Sequence, residues 1–223
     1  MIPFKDENPT RTFPFFTIAI IALNTLVFFV EMLHPSGMKA LVYKYGAVPR
    51  NLLSFGGGEG VPAVLTVFTS MFMHGGLLHI AGNMLYLWIF GNNIEDRLGH
   101  FRYLLFYLLS GVVAAYANSL ASPASGIPMI GASGAVSGIL GAYLLLYPHA
   151  RVHTLIFIGF FIQIIRVPAL IVIGFWGVIQ IVNGIVSKGL VSQGGVAWFA
   201  HIGGFIFGLL TIRLWVPGRK RRV

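Results

Sequence analysis

Gly131-Ala132-Ser133-Gly134 opens an apolar run that continues to Tyr147. It sets a serine among small residues at the head of a segment apolar enough to enter a membrane. Further along, a second apolar segment opens with Ala200-His201-Ile202-Gly203-Gly204. Polar side chains inside a bilayer are costly and mark functional sites. A serine and a histidine, each near the top of an apolar segment and each beside glycines, suggest a nucleophile and its base at one depth.

Composition sets the compartment. Of 223 residues, 57% are hydrophobic and 9% charged, against roughly 25% charged in a soluble domain. The chain reads as a polytopic membrane protein. It has no cysteine, which removes disulfides, thiol nucleophiles and thiolate metal sites. The net charge is +9, and its clearest cluster is Arg219-Lys220-Arg221-Arg222, just after an apolar span. That placement suits a cytoplasmic anchor rather than a nucleic-acid surface.

A spanning helix needs about 20 mostly apolar residues. Such stretches lie at 13–33, 72–91, 101–120, 132–147, 168–187 and 196–216. The first is long and lacks a cleavage site, so it reads as a signal anchor. The stretch 152–167 is apolar but short, bracketed by Arg151 and Arg166 and bounded by Pro148 and Pro168. It reads as an interfacial hairpin or broken segment, not a seventh span.

The charges agree. With both termini on one side, that side collects Lys5, Arg11, Arg97, Arg102, Arg151, Arg166 and the C-terminal cluster; the other collects Lys39, Lys44, Arg50 and Lys188. The positive-inside rule then puts both ends in the cytoplasm. The expected fold is an all-α bundle of six transmembrane helices with a large external loop over 34–71. Residues 1–12 form a cytoplasmic tail, 13–216 the membrane domain and 217–223 a basic cytoplasmic tail.

Spans two, four and six run in the same direction, and their polar residues gather near the outer ends. Span two begins Met73-His74-Gly75-Gly76 and carries His79 and Asn83 on one helix face. Ser133 opens span four, and His201 lies near the outer end of span six. Gly134 with Gly138, and Gly204 with Gly208, repeat at the spacing that lets membrane helices approach closely. Close approach of spans four and six would bring the Ser133 hydroxyl to the His201 imidazole, the geometry of an activated nucleophile. Ser133 also heads a helix, where free backbone N–H groups favour developing negative charge. His79 and Asn83 could add side-chain donors to such an oxyanion site, and His74 either lines the cavity or caps span two. None of the acidic residues Asp6, Glu7, Glu31, Glu59, Glu95 and Asp96 lies beside the serine or histidine in this topology, so the chemistry reduces to a dyad. Glu95, Asp96 and Arg97 read as a cytoplasmic cap and ion-pair cluster. Gln180 and Asn183 on span five read as interhelical hydrogen bonds.

These motifs together resemble the rhomboid family of intramembrane serine proteases. The resemblance rests on Tyr45-Gly46-Ala47-Val48-Pro49 in the external loop, Thr69-Ser70-Met71-Phe72-Met73-His74 leading to His79 and Asn83, and Glu95-Asp96-Arg97-Leu98-Gly99 after span two. It rests above all on Gly131-Ala132-Ser133-Gly134 and on Ala200-His201 with Gly203, Gly204 and Gly208. It implies a serine endopeptidase that cuts peptide bonds in or near transmembrane segments, with Ser133 as nucleophile and His201 as general base. It implies the Ser133 N–H, His79 and Asn83 around the oxyanion, no metal or cofactor, and transmembrane substrates entering laterally from the lipid. The fifth span, with Phe175 and Trp176, resembles the family's proposed lateral gate. A bacterial cytoplasmic membrane is the expected location.

Two positions depart from the family. Leu65-Thr66 stand near a Trp-Arg pair that members often carry. Ser137 stands where some members place an aromatic ring under the histidine, which leaves the orientation of the His201 ring unexplained.

Other classes predict other patterns. A channel or transporter needs polar residues through the full depth, whereas Leu144-Leu145-Leu146 and Leu209-Leu210 make the inner halves apolar. A metal site from His74, His79 and His201 lacks an HExxH pattern and an intramembrane carboxylate. A non-proteolytic relative that binds membrane clients would have no need of both Ser133 and His201.

Overall fold

The computed structural model describes residues 1–54, 61–158, 161–189 and 196–218. The Gly56-Gly57-Gly58 stretch, Glu59, the Lys188 side chain and the cluster Arg219-Lys220-Arg221-Arg222 lie outside what it describes. A short strand β1 (Ile2–Asp6) precedes helix α1 (Phe15–Leu33), and three short helices follow: α2 (Gly37–Tyr45), α3 (Pro49–Ser54) and α4 (Ala63–Ser70). Then come α5 (Leu77–Tyr86), a π-helical turn (Leu87–Gly91) and α6 (Asn92–Leu98), which run on as one rod. The chain continues through α7 (His100–Ala121), α8 (Ser133–Leu146), β2 (Arg151–Ile158), β3 (Phe161–Pro168), α9 (Ala169–Gly189) and α10 (Trp198–Trp215).

Among the described residues, four helices are long and apolar enough to cross a membrane: α1, α7, the Ala169–Ser187 part of α9, and α10. The α5–α6 rod and α8 occupy the places of predicted spans two and four. The chain is therefore a predominantly helical integral membrane protein. The rod starts at Leu77 rather than Phe72, because the turn over Met71–Gly76 contains adjacent Gly75 and Gly76, and each mid-helix glycine costs about 1 kcal/mol relative to alanine. His74 consequently sits before the helix, not on it.

The stretch after α8 forms a β-hairpin, as the short apolar run between prolines suggested. The N-terminal segment, expected as a tail, joins it. Strand β1 pairs antiparallel with β2, and β2 with β3, giving the order β1-β2-β3. Asp6 ties this sheet to the helices: its carboxylate accepts from Asn93 Nδ2 at 2.9 Å and from the Tyr143 hydroxyl at 2.6 Å.

At the same end of the bundle the Glu95-Asp96 pair acts on the start of α1. Glu95 is fully buried and accepts hydrogen bonds from the backbone N–H of Phe16 and Thr17 and from Thr17 Oγ1, at 2.8, 2.8 and 2.7 Å. Those backbone donors are the ones a helix N-terminus leaves without partners. His100 Nδ1 lies 2.6 Å from Glu95 Oε1, the oxygen that also accepts from Phe16 N–H. Asp96 accepts in the same way from Arg11 N, Thr12 N and Thr12 Oγ1. Glu95→Ala strands several buried donors at once. Because a hydrogen bond to a charged group is worth about 1.5–3 kcal/mol, the variant is expected to lose about 3 kcal/mol, read as a lower unfolding midpoint in detergent.

The core lies where α8 packs against α7 and α10. Tyr103, Phe106, Tyr107, Ile139, Leu140 and Tyr143 are fully buried there. Hence α8 is the central element, enclosed by its neighbours, whereas α9 turns much of its surface outward.

Candidate active site

Ser133 is the first residue of α8, with Ala132 as N-cap. Its position depends on Gly131, whose φ is +120° and whose N–H donates to the Ser70 carbonyl at 2.8 Å. Any side chain at Gly131 would be strained at that φ, and a Cβ there would lie 2.7 Å from His79 Nε2. The chain thus turns tightly into α8 with the serine beside His79. At 14 residues, α8 is about 21 Å long, shorter than the roughly 30 Å hydrocarbon core.

The glycines on α8 and α10 permit backbone contact. A Cβ on Gly204 would run into the Gly134 carbonyl oxygen, and one on Gly208 into the Gly138 carbonyl oxygen. A Cβ on Gly134 would lie 2.6 Å from Ala114 Cβ of α7, and one on Gly138 would meet Ser110. With backbone on the far side there is no flexible side chain to move aside. Gly208→Val should force α8 and α10 apart. Overpacking of this kind costs about 3 kcal/mol, so thermal unfolding should shift down, and separation of the helices should weaken any chemistry shared between them.

The outcome of the close approach is a hydrogen bond. Ser133 Oγ and His201 Nε2 lie 2.7 Å apart. His201 is buried at 8% exposure, and its Nδ1 lies 2.7 Å from Gln180 Oε1 on α9. Trp176 and Trp198 flank the imidazole, with ring centroids 6.0 and 6.1 Å away, the first tilted and the second edge-on. These three side chains answer the question that Ser137 leaves open. Ser137 Oγ itself turns back to the Ser133 carbonyl at 2.6 Å and takes no part in holding the ring.

A cavity of about 330 Å³ opens beside the pair, between α5 and α9. His79, Asn83, Ser133, Trp176, Gln180 and His201 are among its lining residues. Asn83 Nδ2 is buried with no hydrogen-bond partner among the described residues. His79 Nδ1 accepts a long, 3.4 Å hydrogen bond from Gly75 N–H, which leaves the ring proton on Nε2, the atom next to Gly131. The first turn of α8 adds backbone N–H groups without intrahelical partners. Donors from two elements therefore converge on the space in front of Ser133 Oγ, an arrangement able to hold an oxyanion.

His74 neither lines this cavity nor caps α5. Gly76 holds the N-cap position without any side-chain hydrogen bond. The fully buried His74 ring stands edge-on to His79 at 5.1 Å, and its backbone N–H donates to Glu31 Oε2 at 3.1 Å. It backs the site from behind His79. Glu31, at the end of α1 and only 2% exposed, is a buried carboxylate that hydropathy did not single out. Phe175 is 53% exposed, so of the two aromatics named on span five only Trp176 reaches the cavity.

The comparisons with known proteins agree with this architecture. A model of the rhomboid domain matches residues 62–217, most of the chain. The chain is 34% identical over 142 residues to the rhomboid protease GluP of Bacillus subtilis, covering 63% of this chain and 25% of that protein. It is 29% identical over 155 residues to the mitochondrial rhomboid protein 1 of Saccharomyces cerevisiae, covering 67% and 41%. It is 31% identical over 144 residues to the human mitochondrial presenilin-associated rhomboid-like protein, covering 64% and 35%. The chain thus spans well under half the length of these relatives. They divide between a bacterium and mitochondria, so the sequence-based expectation of a bacterial cytoplasmic membrane gains no support from them. The match over most of the chain, on a helical membrane scaffold with these motifs in order, shows that it belongs to the rhomboid family.

Proposed function

We propose that the protein is an intramembrane serine endopeptidase that hydrolyses peptide bonds in or near the transmembrane segments of other membrane proteins. The observation that carries the reading is the 2.7 Å contact between Ser133 Oγ and His201 Nε2 at the floor of a cavity open between two helices. His201 Nε2 takes the hydroxyl proton as Ser133 Oγ attacks the scissile carbonyl. The oxyanion of the tetrahedral intermediate is held by the Ser133 N–H, His79 Nε2–H and Asn83 Nδ2–H. His201 then returns the proton to the leaving amine, and a water, activated by the same nitrogen, attacks the acyl carbonyl, so that the carboxylic acid leaves and the proton returns to Ser133 Oγ.

The substrate is a transmembrane protein that reaches Ser133 sideways from the lipid, between α5 and α9. The wall there is made of Leu78, Tyr86 and Trp176, apolar or amphipathic groups that suit a helix leaving the bilayer. Six membrane crossings with both ends in the cytoplasm complete the reading. Residues 1–12 and 217–223 flank the membrane domain on that side, and Ser133 lies below the opposite surface.

A fluorophosphonate probe tests it, because such probes react with serines activated by a base. The detergent-solubilised protein is expected to form a stable adduct on Ser133, located by peptide mass spectrometry. Absence of an adduct in well-folded protein would count against a hydrolytic serine.

A further inference from the structure

We propose that Gln180 is a third member of the reactive unit, a positioning residue that fixes the tautomer of His201. The proposal rests on the serine-protease reading and extends it to a residue on a different helix. Its support is a chain of hydrogen bonds whose directions are forced one after another.

The chain begins at a backbone carbonyl. The Trp176 carbonyl oxygen can only accept, and it lies 3.1 Å from Gln180 Nε2. The amide nitrogen, the only donor of that side chain, must occupy this position. The amide oxygen is thereby turned to His201 Nδ1, 2.7 Å away. An amide oxygen also only accepts, so Nδ1 carries the ring proton. A neutral imidazole has one such proton, which leaves the lone pair on Nε2, facing Ser133 Oγ at 2.7 Å. That is the protonation pattern a general base needs. The opposite tautomer would set the Nδ1 lone pair against the Gln180 oxygen and turn an N–H toward the serine.

The flanking rings do not supply this choice. Trp176 and Trp198 limit the tilt of the imidazole, but an aromatic face accommodates either tautomer. Gln180 is also suited by its neutrality. It is buried at 5% exposure on an apolar helix, where an unpaired carboxylate would carry a large desolvation cost. The amide orients the ring without that cost. Its carbonyl dipole still faces Nδ1–H when His201 becomes cationic during proton transfer, a charge-assisted bond stronger than the neutral one. Because Gln180 and Trp176 both sit on α9 and both line the cavity, the helix that walls the cavity also holds the base.

Two substitutions separate positioning from packing. Gln180→Leu keeps the volume and removes the acceptor; Gln180→Glu keeps an acceptor at the same reach. The readout is the rate of fluorophosphonate labelling per folded, monodisperse molecule, with unfolding midpoints recorded alongside. Gln180→Leu is expected to label about 10²-fold more slowly, the cost of a misaligned catalytic group, with only a modest fall in unfolding midpoint from the stranded His201 Nδ1–H. Gln180→Glu is expected to recover most of the rate. A packing role predicts the reverse order, with leucine tolerated and glutamate damaging. Gln180→Leu labelling at the wild-type rate, or Gln180→Glu labelling more slowly than Gln180→Leu, overturns the proposal. Wild type that fails to label, or labels equally in Ser133→Ala, overturns the protease reading instead, so the two failures are distinguishable.

Discussion

Ser133→Ala is expected to abolish fluorophosphonate labelling and to reduce peptide hydrolysis by about 10⁶-fold, the loss seen when a serine nucleophile is removed from a unit that acts as a whole. The substitution removes one oxygen. Among the described residues, Ser133 Oγ is bonded to His201 Nε2 and to no other side chain. The packing of α8 on α10 depends on Gly134, Gly138, Gly204 and Gly208, which the change leaves alone. The protein should therefore unfold at nearly the wild-type temperature while losing its chemistry. Labelling that persists would move the nucleophile to another residue.

His201→Ala should be nearly as damaging to hydrolysis and somewhat less so to labelling. In a serine–histidine unit the loss of either member costs about 10⁶-fold, because without the base Ser133 faces the substrate with an un-ionised hydroxyl. The variant also leaves Gln180 Oε1 without its 2.7 Å donor, in a region shielded from water. A buried acceptor stranded in this way costs about 1–3 kcal/mol, so a modest fall in the unfolding midpoint should accompany the loss of activity. A variant with full cleavage activity would remove His201 from the mechanism. Full retention of activity together with a lowered midpoint would make the histidine a structural link between α9 and α10.

Much of the site was legible because membrane burial filters sequence so strongly. Ser133, His201, His79 and Asn83 stand out as polar groups in apolar segments, and the glycine spacing on two helices anticipates the contact that joins them. The hairpin after α8 was visible in its short length and bounding prolines. Gln180 carried the same signal, a polar side chain in an apolar helix, but its partner lies on α10, and nothing in the spacing along α9 points across to it. His74 was placed on a helix it does not join, since the adjacent glycines that delay α5 were read as part of a continuous apolar run. The pairing of Ile2–Asp6 with the hairpin was illegible for a different reason. It links strands separated by most of the chain, and a short strand carries no periodicity that names its partner. Glu95 was read correctly as a capping group, but the helix it caps begins far upstream in sequence.

Hydrolysis of peptide bonds within the membrane at Ser133 is best tested by cleavage of reconstituted substrates. Wild type and Ser133→Ala would be incorporated into liposomes with a panel of single-span membrane proteins, and the products mapped by mass spectrometry. Wild type is expected to form fragments cut in or beside the transmembrane segment of at least one substrate, and Ser133→Ala to form none. Identical fragments from both proteins, or substrates left intact by wild type while still held in complex with it, would contradict hydrolysis at Ser133.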